Sequence, residues 1–257
     1  MYKPYVLSSP DFDPTSGGIR VMWGLYGWLL AKGQIAYMNR YPNVDRIAVY
    51  PEIVHGNPMG AKTVVRYLLN TPGVMGATDQ YGNFTPGPTS FDPTDSIYVF
   101  SKLFDTVGVK EDHVLFLPIL NMHLFKDQKK KRTKTCYLIG KGTNRRQHPE
   151  GSIELTREFS SDQGALADLL NECQVMYCYD KISAMMEVAR LCGCRVMYYG
   201  EYDENELRKY EPGLNGIGIL GEEKTLDIDE FRSHYVDLYD LFSIRLDQFI
   251  DETQGGI

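Results

Sequence analysis

The sequence predicts an α/β chain of two lobes, each built on a parallel sheet, followed by a long C-terminal helix. Three observations predict it. Short apolar or aromatic runs alternate with helical patterns, and the alternation restarts after a lysine-rich stretch. The runs are continuously apolar, as strands covered on both faces are. At 257 residues the chain is long enough for two such lobes.

In the first lobe "KPYVLSS" reads as a strand and "PDFDPTSGG" as a polar loop. "IRVMWGLYGWLLAKG" then reads as a helix, because Met22, Leu25, Tyr26, Leu29 and Leu30 share one face at a spacing of about 3.6 residues. "QIAYMN" and "RIAVYPE" are strands. "AKTVVRYLLN" predicts a second helix with Ala61, Val64, Val65, Leu68 and Leu69 on its buried stripe. The Pro- and Gly-rich "TPGVMGATDQYGNFTPGPTSFDPTD" predicts a long irregular loop of the kind that carries function. "SIYVFS" and "HVLFLPI" complete the lobe as strands. From Lys134 the order is strand "KTCYLIG", helix "DQGALADLLNEC", strand "QVMYCY", helix "ISAMMEVARLC" and strand "CRVMYYG". The tail is an amphipathic helix whose apolar side is Phe231, Tyr235, Leu238, Leu241, Phe242 and Phe249. These readings divide the chain into lobes at 1–125 and 133–226 and a helix at 227–257.

Composition narrows the function classes. A hydrophobic fraction of 43% with 24% charged residues is that of a soluble globular protein, and no apolar run approaches the ~20 residues of a membrane span. "MYKPYVLSSPDFD" has no apolar h-region, so no signal peptide is expected. The five cysteines, odd in number and set in apolar runs, read as reduced core thiols of a cytoplasmic protein. Cys192-Gly-Cys194 lacks a second Cys or His pair at zinc spacing. The net charge of −7 argues against whole-surface attraction to nucleic acid, yet "KDQKKKRTK" and "GKGTNRRQH" concentrate cations between 126 and 148. That region reads either as a solvated linker or as a local basic surface.

Ligands of open parallel sheets bind outside the carboxyl ends of the strands, which directs attention to strand-to-helix loops. In "SSPDFDPTSGGIR", Gly17 and Gly18 allow close backbone approach. Asp11 and Asp13 read either as paired metal-holding acids or as a Pro-flanked acidic loop. In "YPEIVHGNPMGAK", Glu52 closes a strand and shares its loop with His55, Gly56 and Asn57, a set suited to proton transfer. "LIGKGTNRRQHP" offers Lys141, Arg145 and Arg146 to a diphosphate. "YDKIS" opens a helix in which Asp180 and Ser183 face the incoming phosphate and Glu187 follows one turn later. Glu187 reads either as an acceptor for ribose hydroxyls or as an exposed residue of a capped helix.

"SAMMEVARLCGCRVMYY" resembles the donor-site helix of glycosyltransferases of the two-Rossmann-lobe class (GT-B), and Glu187 matches the glutamate that holds the ribose there. "TSGGIRVMWGLYGWLLAKGQIAYM" resembles the opening Gly-Gly loop, helix and second strand of that class. "VYPEIVHGNPMGAKTVVRYLLNTPG" is similar to a segment of bacterial and viral sugar transferases. The chain departs from the class at Tyr179, where a second acid often stands eight positions before Glu187. The resemblance implies two Rossmann-like lobes with sheets facing a cleft, and transfer of a sugar from a nucleoside-diphosphate sugar to a hydroxyl acceptor. It also implies no metal cofactor: Lys141, Arg145 and the helix mouth at Ser183 would stabilise the departing diphosphate. Gly17, Gly18, Lys141, Arg145, Asp180, Ser183 and Glu187 would bind the donor, with Asp13, Glu52 or His55 serving the acceptor. A glycan is the expected acceptor. Hydroxymethylcytosine in phage DNA is an alternative, with the 126–146 region touching phosphates. A further alternative is a catalytically silent sugar- or nucleotide-binding module.

Overall fold

Both five-stranded sheets are wholly parallel, and each is laid out in the same strand order. The computed structural model describes residues 2–40, 43–79 and 81–255. These form two compact units, the first comprising Met1–Ile119 and Leu238–Ile257, the second Leu120–Asp237.

Unit 1 contains β1 (Tyr5–Leu7), α1 (Gly17–Ala31), β2 (Ala36–Met38), β3 (Ile47–Pro51), β4 (Thr63–Leu68), a hairpin of β5 (Gly76–Thr78) and β6 (Phe84–Pro86), and β7 (Ser96–Val99). Its five-stranded sheet runs β2-β1-β3-β4-β7. The chain leaves β1 for one side and returns on the other, so a topological switch point lies between β1 and β3. One face, with Tyr5, Leu7, Ile47, Val49, Val65 and Tyr67, packs against Val21, Met22, Leu25 and Leu29 of α1. The opposite face, with Val6, Ala48, Tyr50 and Val64, meets Met59 and Ala61 of an irregular connection. Ser16 starts α1 by accepting the N–H of Ile19, and Gly24 lets the helix approach Leu117, since a Cβ there would lie 2.8 Å from its Cδ2.

Three expectations are corrected here. "AKTVVRYLLN" is the strand β4, because the apolar positions that mimic a helical stripe also satisfy a strand covered on both faces, and Thr63, Val64 and Val65 are β-branched. "HVLFLPI" is buried but not a strand: Val114 makes an isolated parallel bridge to Val99, and Pro118 lacks the N–H to pair. The Pro- and Gly-rich connection contains the antiparallel β5–β6 pair. In addition, Leu30 and Leu241 are exposed rather than on the buried stripes of their helices.

Unit 2 contains β8 (Lys134–Leu138), β9 (Ile153–Glu154), α2 (Arg157–Ser161), α3 (Gln163–Glu172), β10 (Cys173–Cys178), α4 (Met185–Leu191), β11 (Arg195–Tyr198), α5 (Glu204–Leu207) and β12 (Ile217–Ile219). The sheet runs β12-β11-β10-β8-β9, which places its switch point between β8 and β10. All five cysteines are free and buried in this unit, and burial pushes the Cys192 thiol up to about 12. The last helix, α6 (Ile228–Gln254, 27 residues), belongs to unit 2 up to Asp237 and to unit 1 from Leu238. Phe231 and Tyr235 are buried in the former, while Phe242, Leu246, Phe249 and Ile250 join the helix-covered core of the latter. No helix among the described residues is long and apolar enough to cross a membrane.

Candidate functional site

At the switch point of unit 2 the loops that follow β8 and β10 are packed into contact. Tyr179 N–H continues the ladder by donating to Leu138 O at 2.9 Å. Beyond it, glycines make room. A Cβ at Gly140, whose φ is +54°, would lie 2.1 Å from the Asp180 carboxylate, and one at Gly142 would lie 1.8 Å from Tyr179 O. The backbone N–H groups of Lys141, Lys181 and Ile182 lie close to the Asp180 carboxylate. Burial raises its pKa above the usual carboxylate range, with those N–H groups and the Lys141 charge opposing. Lys141 and Asp180 are therefore brought together as neighbouring loop residues.

The basic loop has a second anchor that the sequence reading missed. Tyr179 hydroxyl accepts the N–H of Gln147 at 2.9 Å and of His148 at 3.1 Å, and lies 2.8 Å from His148 Nδ1. Burial, and then the charge of Arg146, lower the His148 pKa, and the Tyr179 oxygen, already accepting two N–H groups, has its O–H left to donate to Nδ1. The ring stacks on Tyr137 at 3.9 Å. Tyr179, at the departure from the class pattern, thus shapes the loop that carries Lys141, Arg145 and Arg146, all exposed. The signal was in the sequence as Tyr177 in β10 and Tyr179 just after it, at period two.

Ser183 Oγ accepts Met185 N–H at 3.2 Å, at the mouth of α4. Glu187 is not presented at that mouth. It is 5% exposed, and its carboxylate accepts the Tyr210 hydroxyl. Its charge also acts on Arg190, three residues on and fully buried. Arg190 Nη1 donates to Gly213 O at 2.8 Å and Asn215 O at 3.1 Å, and its Cζ lies 4.0 Å from the Phe231 ring.

In unit 1 the residues expected to act lie in the connections that follow β1 and β3, each with a bond in hand. Asp13 accepts from Thr15 N at 2.8 Å and Thr15 Oγ1 at 2.7 Å, closing the turn before α1. Glu52, 3% exposed, accepts Leu69 N–H at 2.9 Å and so ties the ends of β3 and β4. His55 is exposed, with Nε2 3.0 Å from Pro86 O. A Cβ at Gly17 would meet nothing within 4 Å, and one at Gly18 would make ordinary contact with Leu69. Gly17 thus leaves an open helix start. Among the described residues no cluster of three or more His, Cys, Asp or Glu is arranged to hold a metal, the Asp11–Asp13 loop included.

Four cations of the lysine-rich run are paired with carboxylates. Lys129 and Arg132 each lie 2.7 Å from Asp127, Lys130 lies 2.8 Å from Asp168, and Lys134 lies 2.5 Å from Glu172. These exposed pairs fit the solvated-linker reading of 126–134.

No protein-family description and no curated protein matches the chain. Solved structures give loose overlaps. The glycosyltransferase SnogD from Streptomyces nogalater overlaps with a TM-score of 0.41 at 10% identity, covering 97% of this chain and 99% of that one. An uncharacterized protein from Klebsiella pneumoniae gives 0.38 at 12% identity, covering 80% and 86%. The spinosyn forosaminyltransferase SpnP gives 0.34 at 11% identity, covering 99% and 95%. These likenesses are too slight to assign a fold or an activity.

Proposed function

We propose that the chain is a glycosyltransferase that moves a sugar from a nucleoside-diphosphate sugar to a hydroxyl acceptor, with the diphosphate received by the 140–148 loop of unit 2. One observation carries the reading. The first strand-end loop at the switch point holds exposed Lys141, Arg145 and Arg146 in a shape fixed by Tyr179, Asp180 and two glycines. A preformed set of cations offsets the charge that develops on a departing diphosphate without reorganising during the reaction. In this reading Lys141 and Arg145 take the role a metal plays elsewhere. Asp180 shapes the loop through the Lys141 N–H, and Ser183 offers its hydroxyl to a phosphate oxygen. A ribose at Glu187 requires the Tyr210 hydroxyl to give way, so Glu187 acts as a positioning residue for α4. On the acceptor side His55 is the proposed base, because its ring is exposed, while Asp13 and Glu52 hold turns. A glycan is the proposed acceptor, since the net charge of −7 disfavours attraction to nucleic acid.

The test is a thermal-shift series with UDP, GDP, CMP, ADP and their sugar conjugates, with and without manganese. One nucleoside diphosphate is expected to raise the melting temperature by several degrees at saturation, independently of manganese. The double variant Lys141→Ala with Arg145→Ala is expected to weaken that ligand at least about tenfold. No shift with any nucleotide sinks the reading.

A further inference from the structure

A cavity of about 240 Å³ lies in unit 1 on the face of β4. Register pairs Arg66 of β4 with Tyr50 of β3 and Ile97 of β7, and its side chain leaves the sheet beneath the 53–62 and 87–95 connections. The volume exceeds the ~30 Å³ share of a water several times over, and falls below the ~300 Å³ at which drug-sized pockets begin.

The floor is a buried charge pair. Arg66, 2% exposed, donates from Nε to Asp95 Oδ2 at 2.7 Å, from Nη1 to Val54 O at 2.8 Å and from Nη2 to Gly56 O at 2.5 Å. The remaining N–H groups of the guanidinium have no acceptor among the described residues, and the second Asp95 oxygen accepts no hydrogen bond among them. Tyr50 and Phe91 flank the guanidinium, with ring centroids 5.0 Å and 5.2 Å from Cζ. The walls are fixed too. Asn57 accepts from Tyr50 hydroxyl at 3.0 Å and Ala61 N–H at 3.1 Å, and Asp92 accepts from Thr94 N at 2.9 Å and Oγ1 at 2.7 Å.

Lys62 and Arg66 are balanced by Asp92 and Asp95, so the lining offers no net charge to select an ion. It offers a fixed donor beside a fixed acceptor and an aromatic ring. Vicinal hydroxyls donate and accept together, and the C–H face of a sugar packs on such a ring. We propose that this cavity binds one neutral sugar ring. The site uses none of the residues assigned to the nucleotide, and it stands or falls independently of the transferase reading.

The test is saturation-transfer NMR on the full chain with the methyl glycosides of glucose, galactose and mannose and with N-acetylglucosamine, using inorganic phosphate as competitor. At least one sugar is expected to bind, and phosphate is expected not to displace it. Ser90→Trp, at an exposed wall position without a hydrogen bond to the floor, is expected to weaken binding about tenfold or more, and Phe91→Ala to do likewise. Circular dichroism and the melting temperature report whether each variant is folded, and Ser90→Trp keeps the test alive where Phe91→Ala is not. Transfer to none of the sugars, displacement by phosphate, or unchanged binding in folded Ser90→Trp overturns the proposal.

Discussion

Asp180 is a carboxylate held out of water beneath a glycine, and its raised pKa has a measurable sign. Between the ordinary carboxylate pKa and its own, the native protein binds more protons than the unfolded chain, so stability falls as pH rises through that window. Asp180→Asn keeps an oxygen for the Lys141 N–H and removes the charge. It is expected to melt above wild type at pH 7, with the gap closing as pH drops toward ~4, in paired thermal melts. A gap that widened on acidification would refute the burial account. Asp180 and Lys141 were legible from sequence because strand-end loops are found by counting strands. The direction of Glu187 was not, since a helical pattern weighs apolar residues. Here the inward side of α4 carries two buried charged residues: Glu187 accepts the Tyr210 hydroxyl, and Arg190 donates to the carbonyls of Gly213 and Asn215. Tyr179 was hidden for a related reason: its buried ring reads as core, whereas its hydroxyl organises a loop 31 residues upstream.

The 139–148 loop owes its position to glycines more than to its cations. Gly142→Ala would set a Cβ against Tyr179 O, a backbone atom that cannot swing aside, and overpacking of this kind costs ~1–3 kcal/mol. The variant is expected to melt lower and to bind nucleoside diphosphate more weakly. Gly27→Ala, within α1 where a Cβ meets nothing within 4 Å, is the control and is expected to gain ~0.5–1 kcal/mol. Equal effects of the two would dissociate the loop contact from both stability and binding. β4 shows why elements around such loops resist reading. A run buried on both faces satisfies the strand and helix templates equally, and what separates them is the neighbour: β3 on one edge and β7 on the other. Unit 1 also covers one sheet face with irregular connections instead of helices, so the continuously apolar strands promised a helix that the chain does not supply.

The two units share the order in which strands enter their sheets, and α6 contributes core residues to each. The helix was legible from its apolar stripe. Its division at Asp237 and Leu238 was not, because the stripe runs unbroken from Phe231 to Phe249 while the residues it meets change. Phe249, 1% exposed, stacks on Tyr5 at 5.8 Å and meets Tyr98 edge-on at 4.9 Å. Phe231, equally buried, lies under Arg190 in unit 2. Truncating either to alanine removes a comparable ring from a packed interior, worth ~3–5 kcal/mol. Hydrogen exchange read by mass spectrometry distinguishes where that loss falls. Phe249→Ala is expected to shed protection first from β1, β3, β4 and β7, and Phe231→Ala first from the β8–β12 sheet. Uniform loss in both sheets from either variant would mean that the contact-defined units unfold as one cooperative body, and the two-unit description would then hold for packing alone.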